Sequence, residues 1–458
     1  MKIVVLNGSP KGETSVTMQY VHYVQKAFPQ HTLEIVHIAQ RLKKIERDPA
    51  LFQAILDRVR AADGVLWAFP LYFLLVHAHY KRFIELIWER GAQDAFRGKY
   101  AASLSTSIHF FDHTAHNYIQ GICDDLGMPY VGAFAADMPD LLEAKGRRQL
   151  TLFAEGFFAA IERQTPLPRS SMPLQPRRFA YTPAPVSRQL PTDGRKVVVV
   201  TDARPGQDNI QRMVEHFAAA LDGVKVINLH DLDIKGGCLG CLRCGYNYEC
   251  AYTGRDGYID FYNQEVKTAD ILVFAATIQD RYLSATWKNY FDRSFFNTHT
   301  PTLTGKQVAF VISGPLSQLP NLREILDAYT QFQQANLVGF VTDEYGDSAA
   351  LDALLEGLAE RLVESAGRGY IQPQNFLGVA GAKLFRDDIW GRLRPIFQAD
   401  HRAYRRMGFY DFPQRDLGLW VRSAFLTLLL RIGPIRRVFT PRIRAGMIAP
   451  YQKVLREE

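Results

Sequence analysis

The feature that most limits what this chain can fold into is a regular alternation of strand-like and helix-like segments over the first 165 residues. Short apolar runs rich in Val, Ile and Leu are typical of strands buried on both faces of a parallel sheet. The predicted strands are KIVVL, LEIVHI, GVLWAF and residues 100–105 and 130–134; the predicted helices are 15–28, 49–62, 77–90, 114–126 and 147–163. Five strands joined by crossover helices predict a doubly wound parallel α/β sheet.

The same order of elements starts again near residue 196, which indicates an internal duplication with diverged sequence. The second set of strands is KVVVVT, VKVINL, DILVFAA, QVAFVIS and LVGFVT, and the second set of helices is 209–221, 258–269, 285–296, 322–334 and 349–366. The intervening segment is proline-rich and lacks periodicity, as linkers do. We therefore predict two α/β domains at 1–165 and 196–375, a linker at 166–195, and an Arg-rich helical extension at 376–458 with helices near 389–407 and 417–432.

Charge and hydropathy exclude several classes of function. The net charge is +7, but from Gly381 to the end basic residues exceed acidic ones by nine, so the remainder is near neutral. This distribution argues against nucleic-acid binding as the main role. No apolar stretch reaches the roughly 18 residues that span a bilayer. The basic, apolar segment around SAFLTLLL (423–430) is interpreted either as a membrane-surface helix or as a helix docked on the domains with a solvated basic face.

The loop between the first strand and the first helix has the composition of a phosphate site. In an open parallel sheet, ligands bind beyond the carboxyl ends of the strands. The segment LNGSPKGETSVT presents backbone N–H groups, hydroxyls and a helix N-terminus there, which together hold a phosphate. The residues expected around the phosphate are Ser9, Ser15, Val16 and Thr17, with Lys11 as a charge contact. The alternative is a solvated strand-to-helix turn.

Two further loops should meet at the same edge of the sheet. FPLYFLL (69–75) follows the third strand, and its Pro70, Leu71, Tyr72 and Phe73 can supply the flat aromatic wall and backbone N–H groups that an isoalloxazine ring needs. After the fourth strand, STSIHFFDHTAHN supplies Thr106, Ser107 and His109 as hydrogen-bonding groups for the pyrimidine side of such a ring. An aromatic run at a strand end is otherwise core, and a metal site at the three histidines of the last loop lacks supporting carboxylates.

These loops resemble the NADPH-dependent FMN reductases of the flavodoxin-like superfamily over residues 1–165. The matching positions are Gly8, Ser9, Pro10, Ser15, Thr17, Pro70 and Tyr72. The resemblance implies two flavodoxin-like domains, with FMN phosphate on the Ser/Thr-rich loop and Tyr72 packed on the ring. It also implies that FMN takes a hydride from NADH or NADPH and passes electrons to an acceptor, without a general acid or base.

Four of the five cysteines lie within thirteen residues, as GGCLGCLRCGYNYEC. Cys238, Cys241, Cys244 and Cys250 have the spacing C-x2-C-x2-C-x5-C, which lets four thiolates converge on one centre. The close spacing favours an iron–sulfur cube over zinc, and structural or redox-active thiols are the third alternative. The segment resembles the iron-sulfur flavoproteins, which implies a 4Fe–4S cluster near FMN. A local cysteine site, with no signal-peptide pattern at the N-terminus, predicts a reduced, cytoplasmic setting.

The second domain departs from the flavin pattern. Its first loop, TDARPGQDNIQRM, lacks the Gly-Ser-Pro start, and Asp202 and Asp208 would repel a phosphate. We expect one FMN, in the first domain. The predicted partners are a nicotinamide dinucleotide and a small-molecule or protein acceptor such as a quinone or a nitro or azo compound. The resemblance implies a homodimer, which the duplication could replace by a pseudo-dimer within one chain. The rival function is an iron-sulfur flavoprotein electron carrier without small-molecule substrate chemistry.

Overall fold

The computed structural model describes residues 1–176 and 179–455, and its first half contains one parallel sheet. The strand order is β2-β1-β3-β4-β5, the order typical of flavodoxin-like proteins. The strands are β1 (Lys2–Asn7), β2 (Thr32–His37), β3 (Gly64–Pro70), β4 (Tyr100–Ser107) and β5 (Tyr130–Asp137). The helices are α1 (Val16–Ala27), α2 (Leu42–Arg47), α3 (Pro49–Arg60), α4 (Ala78–Glu89), α5 (Asp112–Asp125) and α6 (Ala144–Glu162).

The second half repeats this topology, with the sheet order β7-β6-β8-β9-β10 when read from the same edge. The strands are β6 (Val197–Thr201), β7 (Val224–Asn228), β8 (Ile271–Thr277), β9 (Gln307–Ser313) and β10 (Asn336–Thr342). The helices are α7 (Asp208–Ala219), α8 (Cys244–Asn247), α9 (Tyr258–Phe261), α10 (Ala285–Ser294), α11 (Pro320–Phe332) and α12 (Ser348–Arg368). The prediction of two doubly wound five-stranded sheets followed by a helical extension is therefore confirmed.

The central strands are buried because helices cover both faces of each sheet. Ile3 to Leu6 of β1 and Val197 to Val200 of β6 are at most 1% exposed, which explains why both strands are continuously apolar. The helices begin at positions that the sequence marks clearly. Asp48 accepts hydrogen bonds from two amides at the start of α3, with Pro49 in the first turn. In the second half, α9 continues as a π-helix over Tyr262–Val266 instead of the single predicted helix.

The predicted linker is extended and contacts both halves: the Ser170 and Ser171 N–H groups donate to Asp124 on α5, at 3.1 and 2.8 Å, and the later part lies on the second half. Tyr181 is fully buried in the core of that half, and its hydroxyl donates to the Asp352 carboxylate on α12. The Ala184 N–H donates to the other oxygen of Asp352 at 3.0 Å. A proline-rich segment has few backbone donors to satisfy, so one buried aromatic ring and a few hydrogen bonds suffice to hold it.

The two halves pack against each other through α4 and α10, in a pseudo-two-fold arrangement. The Ala78 N–H at the start of α4 donates to Asp292 at 2.7 Å, and the Ala285 N–H at the start of α10 donates to Glu85 at 2.6 Å. Each helix thus has its N-terminus capped by a carboxylate of the other helix, which also suits the helix dipole. The reciprocity fixes both halves in one compact unit, Met1–His401.

The last part of the chain is helical, as predicted. Its helices are α13 (Phe376–Trp390), α14 (Gln398–Arg406), α15 (Leu417–Leu430), α16 (Gly433–Phe439) and α17 (Ile443–Val454). The predicted helix at 389–407 is instead the end of α13 and all of α14, because Gly391 and Pro395 interrupt it. A second compact unit begins at Arg402. Among the described helices none could cross a membrane alone, and only the bent pair Leu417–Leu430 and Gly433–Arg442 meets the length and composition required.

Candidate functional site

The loop after β1 forms a cradle of amides and hydroxyls at the N-terminus of α1. Ser15 is the N-cap, and its Oγ accepts from the Met18 N–H at 3.3 Å. The Lys11 N–H donates to Ser9 Oγ at 3.2 Å. A side chain at Gly8 would collide with the Tyr80 ring, since a Cβ there would lie 2.8 Å from it. The first part of the motif therefore has a packing role, and the hydroxyls and the helix N-terminus beyond it can bind an anion.

The loop after β3 forms a short, strained lip. The Tyr72 N–H donates to the Leu75 carbonyl at 2.8 Å, and the Leu75 N–H donates back at 3.1 Å. Phe73 and Leu74 adopt positive φ angles of 39° and 63°. Such angles cost energy in residues with a Cβ and persist where the surroundings enforce them. From the second half, the Lys288 ammonium donates to the Tyr72 carbonyl at 2.8 Å, so both halves hold this lip in place.

The loop after β4 completes the edge. The Thr17 and Thr106 hydroxyls are hydrogen-bonded at 2.7 Å, which joins this loop to the start of α1. Ser107 Oγ accepts from the His109 N–H at 2.8 Å. The His109 imidazole lies 2.7 Å from Asp112, a neighbour on α5, and is half exposed. The hydroxyls of this loop therefore lie at the cavity, whereas the His109 ring pairs with Asp112, the first residue of α5.

These three loops line a single cavity of about 300 Å³. The predicted residues on its wall are Ser9, Lys11, Ser15, Val16, Thr17, Pro70, Leu71, Tyr72, Phe73, Thr106 and Ser107. Pro10 and His109 are not among the residues that line it. The volume and the mixture of apolar wall and few polar groups are those of a small-molecule site.

The opposite wall of the cavity comes from the second half and from α13, which sequence reasoning did not foresee. The residues on this wall are Gly240, Leu242, Asp292, Phe295, Thr298, His299, Phe332, Phe385, Leu393, Ile396 and Phe397. Among the wall's rings, Phe385 stacks on His299 with ring centroids 4.1 Å apart and contacts Phe110 at 4.6 Å. The cavity thus has a hydroxyl-rich end on the first sheet and an aromatic end on the second half.

His299 is held by a buried carboxylate at this aromatic end. Its Nδ1 lies 2.8 Å from Asp400, and Asp400 also accepts from the Thr300 hydroxyl at 2.8 Å and from the Thr298 hydroxyl. A carboxylate on Nδ1 fixes the orientation of the imidazole ring. No sequence pattern indicates the pairing of His299 with Asp400, because the two residues are 101 positions apart.

Buried charges surround the cavity. Lys288 and Asp292 form an ion pair one helical turn apart on α10, and both side chains are fully buried. Burial raises the pKa of Asp292 to about 6, and burial likewise lowers the pKa of Lys288. Burial also raises the pKa of the Tyr72 phenol well above its usual range. The lip therefore presents the neutral Tyr72 hydroxyl, and the buried charges beside it, Lys288 and Asp292, are paired with each other.

The four clustered cysteines lie next to this cavity. They line a second, much smaller cavity of about 20 Å³, which shares Gly240, Leu242 and Phe295 with the larger one. Burial raises the pKa of Cys238 to about 12 and raises that of Cys244 further, so both are thiols here. His77 anchors the loop by donating from Nε2 to the Cys238 carbonyl at 2.8 Å. Among the described residues, no group of three or more His, Cys, Asp or Glu side chains is arranged to hold a metal ion.

In the second half, the loop after β6 differs from the anion cradle of the first half. At the position that follows β6, Asp202 is 3% exposed and accepts a hydrogen bond from the Ser284 hydroxyl at the N-cap of α10. Burial raises the pKa of Asp202 to about 6. A buried carboxylate in this place puts a negative charge where a phosphate would lie. The expectation of a single FMN stays a prediction.

Comparison with known proteins gives a family match in the first half of the chain. Residues 1–138 match the family model of NADPH-dependent FMN reductase. No curated protein matches the chain. Similar solved structures include the apo form of an NADH:FMN oxidoreductase, EMOB, with 20% identity over 35% of this chain and 89% of that one, at a TM-score of 0.30. FerB from Paracoccus denitrificans, an NAD(P)H:(acceptor) oxidoreductase, is 20% identical over 35% and 97% of the two chains, with a TM-score of 0.29.

A third similar structure is general stress protein 14 from Treponema denticola, determined in complex with FMN. It is 12% identical to this protein over 36% of this chain and 99% of that one, with a TM-score of 0.26. Each of these proteins corresponds in extent to about a third of the present chain. The matched family model ends just after β5, so it contains the anion cradle and all three loops of the first sheet.

Proposed function

We propose that this protein is an FMN-dependent oxidoreductase that takes electrons from NADH or NADPH and passes them to an acceptor bound in the same cavity. The observation that carries the proposal is the convergence of the hydroxyl cradle at Ser15 and the aromatic lip at Tyr72 on one cavity. FMN supplies hydride uptake and release when it is bound. The match of residues 1–138 to NADPH-dependent FMN reductase supports the same conclusion.

In this proposal the chain's own residues bind and orient the FMN. The N-terminus of α1, with Ser9, Ser15 and Thr17, holds the phosphate, and Lys11 balances its charge. Pro70 to Phe73 pack along the ring and exclude water from one of its faces. Thr106 and Ser107 hydrogen-bond the polar edge of the ring. No residue of the cradle needs to gain or lose a proton for these contacts.

The aromatic end of the cavity is the proposed acceptor side. Phe110, Phe385 and Phe397 suit a planar aromatic acceptor, such as a quinone or a nitroaromatic compound. Reduction of such a compound by a hydride also requires a proton. His299, oriented by Asp400, is proposed to supply that proton to the acceptor oxygen and to recover it from solvent.

A rapid-mixing experiment tests this function. The purified protein should take up FMN, and mixing with NADPH or NADH should bleach the flavin absorption at about 450 nm within the turnover time. A quinone should then restore the absorption. Protein that binds no FMN would end the proposal. Bound flavin that neither nucleotide reduces, but a reduced ferredoxin does, would favour the rival electron carrier.

The acceptor side is tested separately through His299→Asn, which keeps a hydrogen-bonding group and removes the acid. Loss of general-acid assistance is expected to slow reoxidation of the reduced enzyme by a quinone about 100-fold. Reduction by the nucleotide should stay within about twofold, since it needs no proton from this side chain. Equal slowing of both half-reactions would show that His299 supports the cavity and is not the proton donor.

We also propose the four clustered cysteines as the ligands of a 4Fe–4S cluster. The support is the donor set, since four thiols line one small cavity beside the flavin site. The cavity has room for little more than one water, so seating a cluster requires the loop to open. Anaerobic reconstitution should give four irons and four sulfides per chain, and Cys241→Ser should lower both. Cys123→Ala, at the buried cysteine of the first half, is the control. Protein that takes up no iron would favour redox-active or structural thiols.

A further inference from the structure

The helices that follow Arg402 carry large apolar side chains that are exposed to solvent. On α15 they lie all round the helix: Leu417, Trp420, Val421, Phe425 and Leu428 share one face, and Leu419 and Leu426 are exposed on the opposite one. Trp420, Phe425 and Leu428 are 61–64% exposed. On α17 a second exposed apolar set is formed by Met447, Ile448, Tyr451 and Val454. Apolar patches of this size on a soluble protein mark a surface that contacts something else.

The same segment carries the whole charge excess of the protein. Residues 402–458 contain twelve Arg and Lys against four Asp and Glu, a net charge of +8 in a chain whose total is +7. From Leu417 to Arg456 there is no acidic residue at all. Arg436, Arg437 and Arg442 are exposed. A partner that complements this surface must therefore offer an apolar region for the exposed side chains and a negatively charged region beside it for the arginines.

A bilayer of anionic lipids has both of these regions. The 14 residues of α15 are about 21 Å long, too short for a hydrocarbon core of about 30 Å, and the next helix turns away by 109°. We propose that this segment docks on the surface of an anionic bilayer. Trp420 and Phe425 enter the acyl boundary, and the arginines contact lipid phosphates.

Two other occupants fit less well. A nucleic acid would complement the arginines but would leave the exposed Leu and Phe side chains in water. A second copy of this chain would cover these apolar side chains, but it would bring two strongly basic segments together, each with a net charge of +8. Only a bilayer surface with anionic headgroups complements both the apolar side chains and the charge.

Vesicle flotation with the full-length, FMN-loaded protein tests the proposal. The probes are vesicles of phosphatidylcholine alone and of phosphatidylcholine mixed equally with phosphatidylglycerol. The protein should float with the anionic vesicles and be released by high salt. Arg436→Gln/Arg437→Gln/Arg442→Gln should lower the partition coefficient on them about 100-fold, at about fivefold per arginine. Trp420→Ser/Phe425→Ser should lower binding as well, because it removes the inserted side chains.

The matched control removes three exposed arginines of the first unit, as Arg97→Gln/Arg148→Gln/Arg361→Gln, and should float like the unaltered protein. Unchanged thermal stability and flavin content of the tail variants would show that they fold. The proposal fails if neither vesicle binds the protein, or if both triple substitutions weaken binding equally. It also fails if duplex DNA displaces the protein from vesicles, or if a lipid-free dimer forms that Trp420→Ser/Phe425→Ser dissolves.

Discussion

Ser15 has two tasks at the start of α1, because the hydroxyl that caps the helix also lines the cavity. Under the proposed function, Ser15→Ala removes a charge-assisted hydrogen bond to the FMN phosphate, which contributes about 1.5–3 kcal/mol. We expect the dissociation constant of FMN to rise about 10- to 100-fold, measured by fluorescence titration. The helix itself should lose about 1 kcal/mol.

The matched control for that substitution is Asp347→Ala. Asp347 caps α12 by accepting from the Ala350 N–H at 2.8 Å, and it lies outside the cavity wall. Its loss should lower stability by a similar amount, about 1 kcal/mol, without a change in FMN affinity. If both variants bound FMN equally well, Ser15 would be a cap only and the phosphate would lie elsewhere.

Gly240 is the point where the cysteine loop meets the lip. It has a φ of +61°, and a Cβ there would collide with the Tyr72 hydroxyl. Gly240→Ala should displace the Tyr72 ring and weaken FMN binding at least tenfold, since the ring packs on the flavin in this proposal. Gly254→Ala, in the same loop, has a φ of +69° with nothing near the added carbon, so it isolates the backbone cost of about 1 kcal/mol. Equal FMN affinities in the two variants would contradict a role for Tyr72.

Asp202 gives the stability a specific pH dependence. Its folded pKa of about 6 lies above the unfolded value near 3.8, because burial disfavours the carboxylate. The folded state therefore binds the proton more tightly, and stability falls as the pH rises from about 4 to about 6, by about 3 kcal/mol. Asp202→Asn should reduce the fall across this range by about 3 kcal/mol, measured as the urea unfolding free energy. The remaining fall belongs to other buried carboxylates such as Asp292, whose pKa burial also raises to about 6. Asp231→Asn, at an exposed position, is the control and should keep the wild-type slope.

At the level of elements, the pair α4 and α10 joins the halves through buried carboxylates. Glu85 accepts from Lys81 at 2.7 Å and from the Ala285 N–H, so Glu85→Ala leaves a buried ammonium short of one partner and the Ala285 N–H without its carboxylate acceptor. We expect a loss of about 3 kcal/mol in unfolding free energy. Glu89→Ala removes a half-exposed carboxylate one turn further along α4, and it should cost less than about 1 kcal/mol. Similar losses in both variants would show that this contact does not hold the halves together.

The sequence predicts an element well when the residues that determine it are neighbours in the chain. Strands such as β1 and β6 are marked by local apolar runs, and α1 and α3 by local caps, so their positions could be predicted to within a few residues. The three loops of the first sheet could be predicted because parallel strands bring their carboxyl ends to one edge. The opposite wall of the cavity could not be predicted, since Phe385 of α13 and His299, in the turn after α10, are distant in sequence and meet only in the folded chain.

At the scale of the whole molecule, two halves of the same topology build one cavity from unequal parts. The first half supplies the cradle at Ser15, and the second supplies the aromatic wall around Phe385. In the loop after β6, which corresponds to the anion cradle after β1, the buried side chain of Asp202 stands instead. The contact between α4 and α10 joins two halves of the same topology within one chain. Each half therefore contributes a different part of the cavity wall.

This asymmetry predicts one FMN for each 52.0 kDa chain. Titration followed by absorbance should give a stoichiometry of one, because the carboxylate of Asp202 repels a phosphate at the second position. Bound FMN should stabilise the entire Met1–His401 unit, since both halves line its cavity; a concentration 100-fold above the dissociation constant adds about 2.7 kcal/mol. Thermal melting should therefore show both sheets shifting together on FMN addition. Two flavins per chain, or a shift confined to the first sheet in hydrogen exchange, would mean that the halves bind separately.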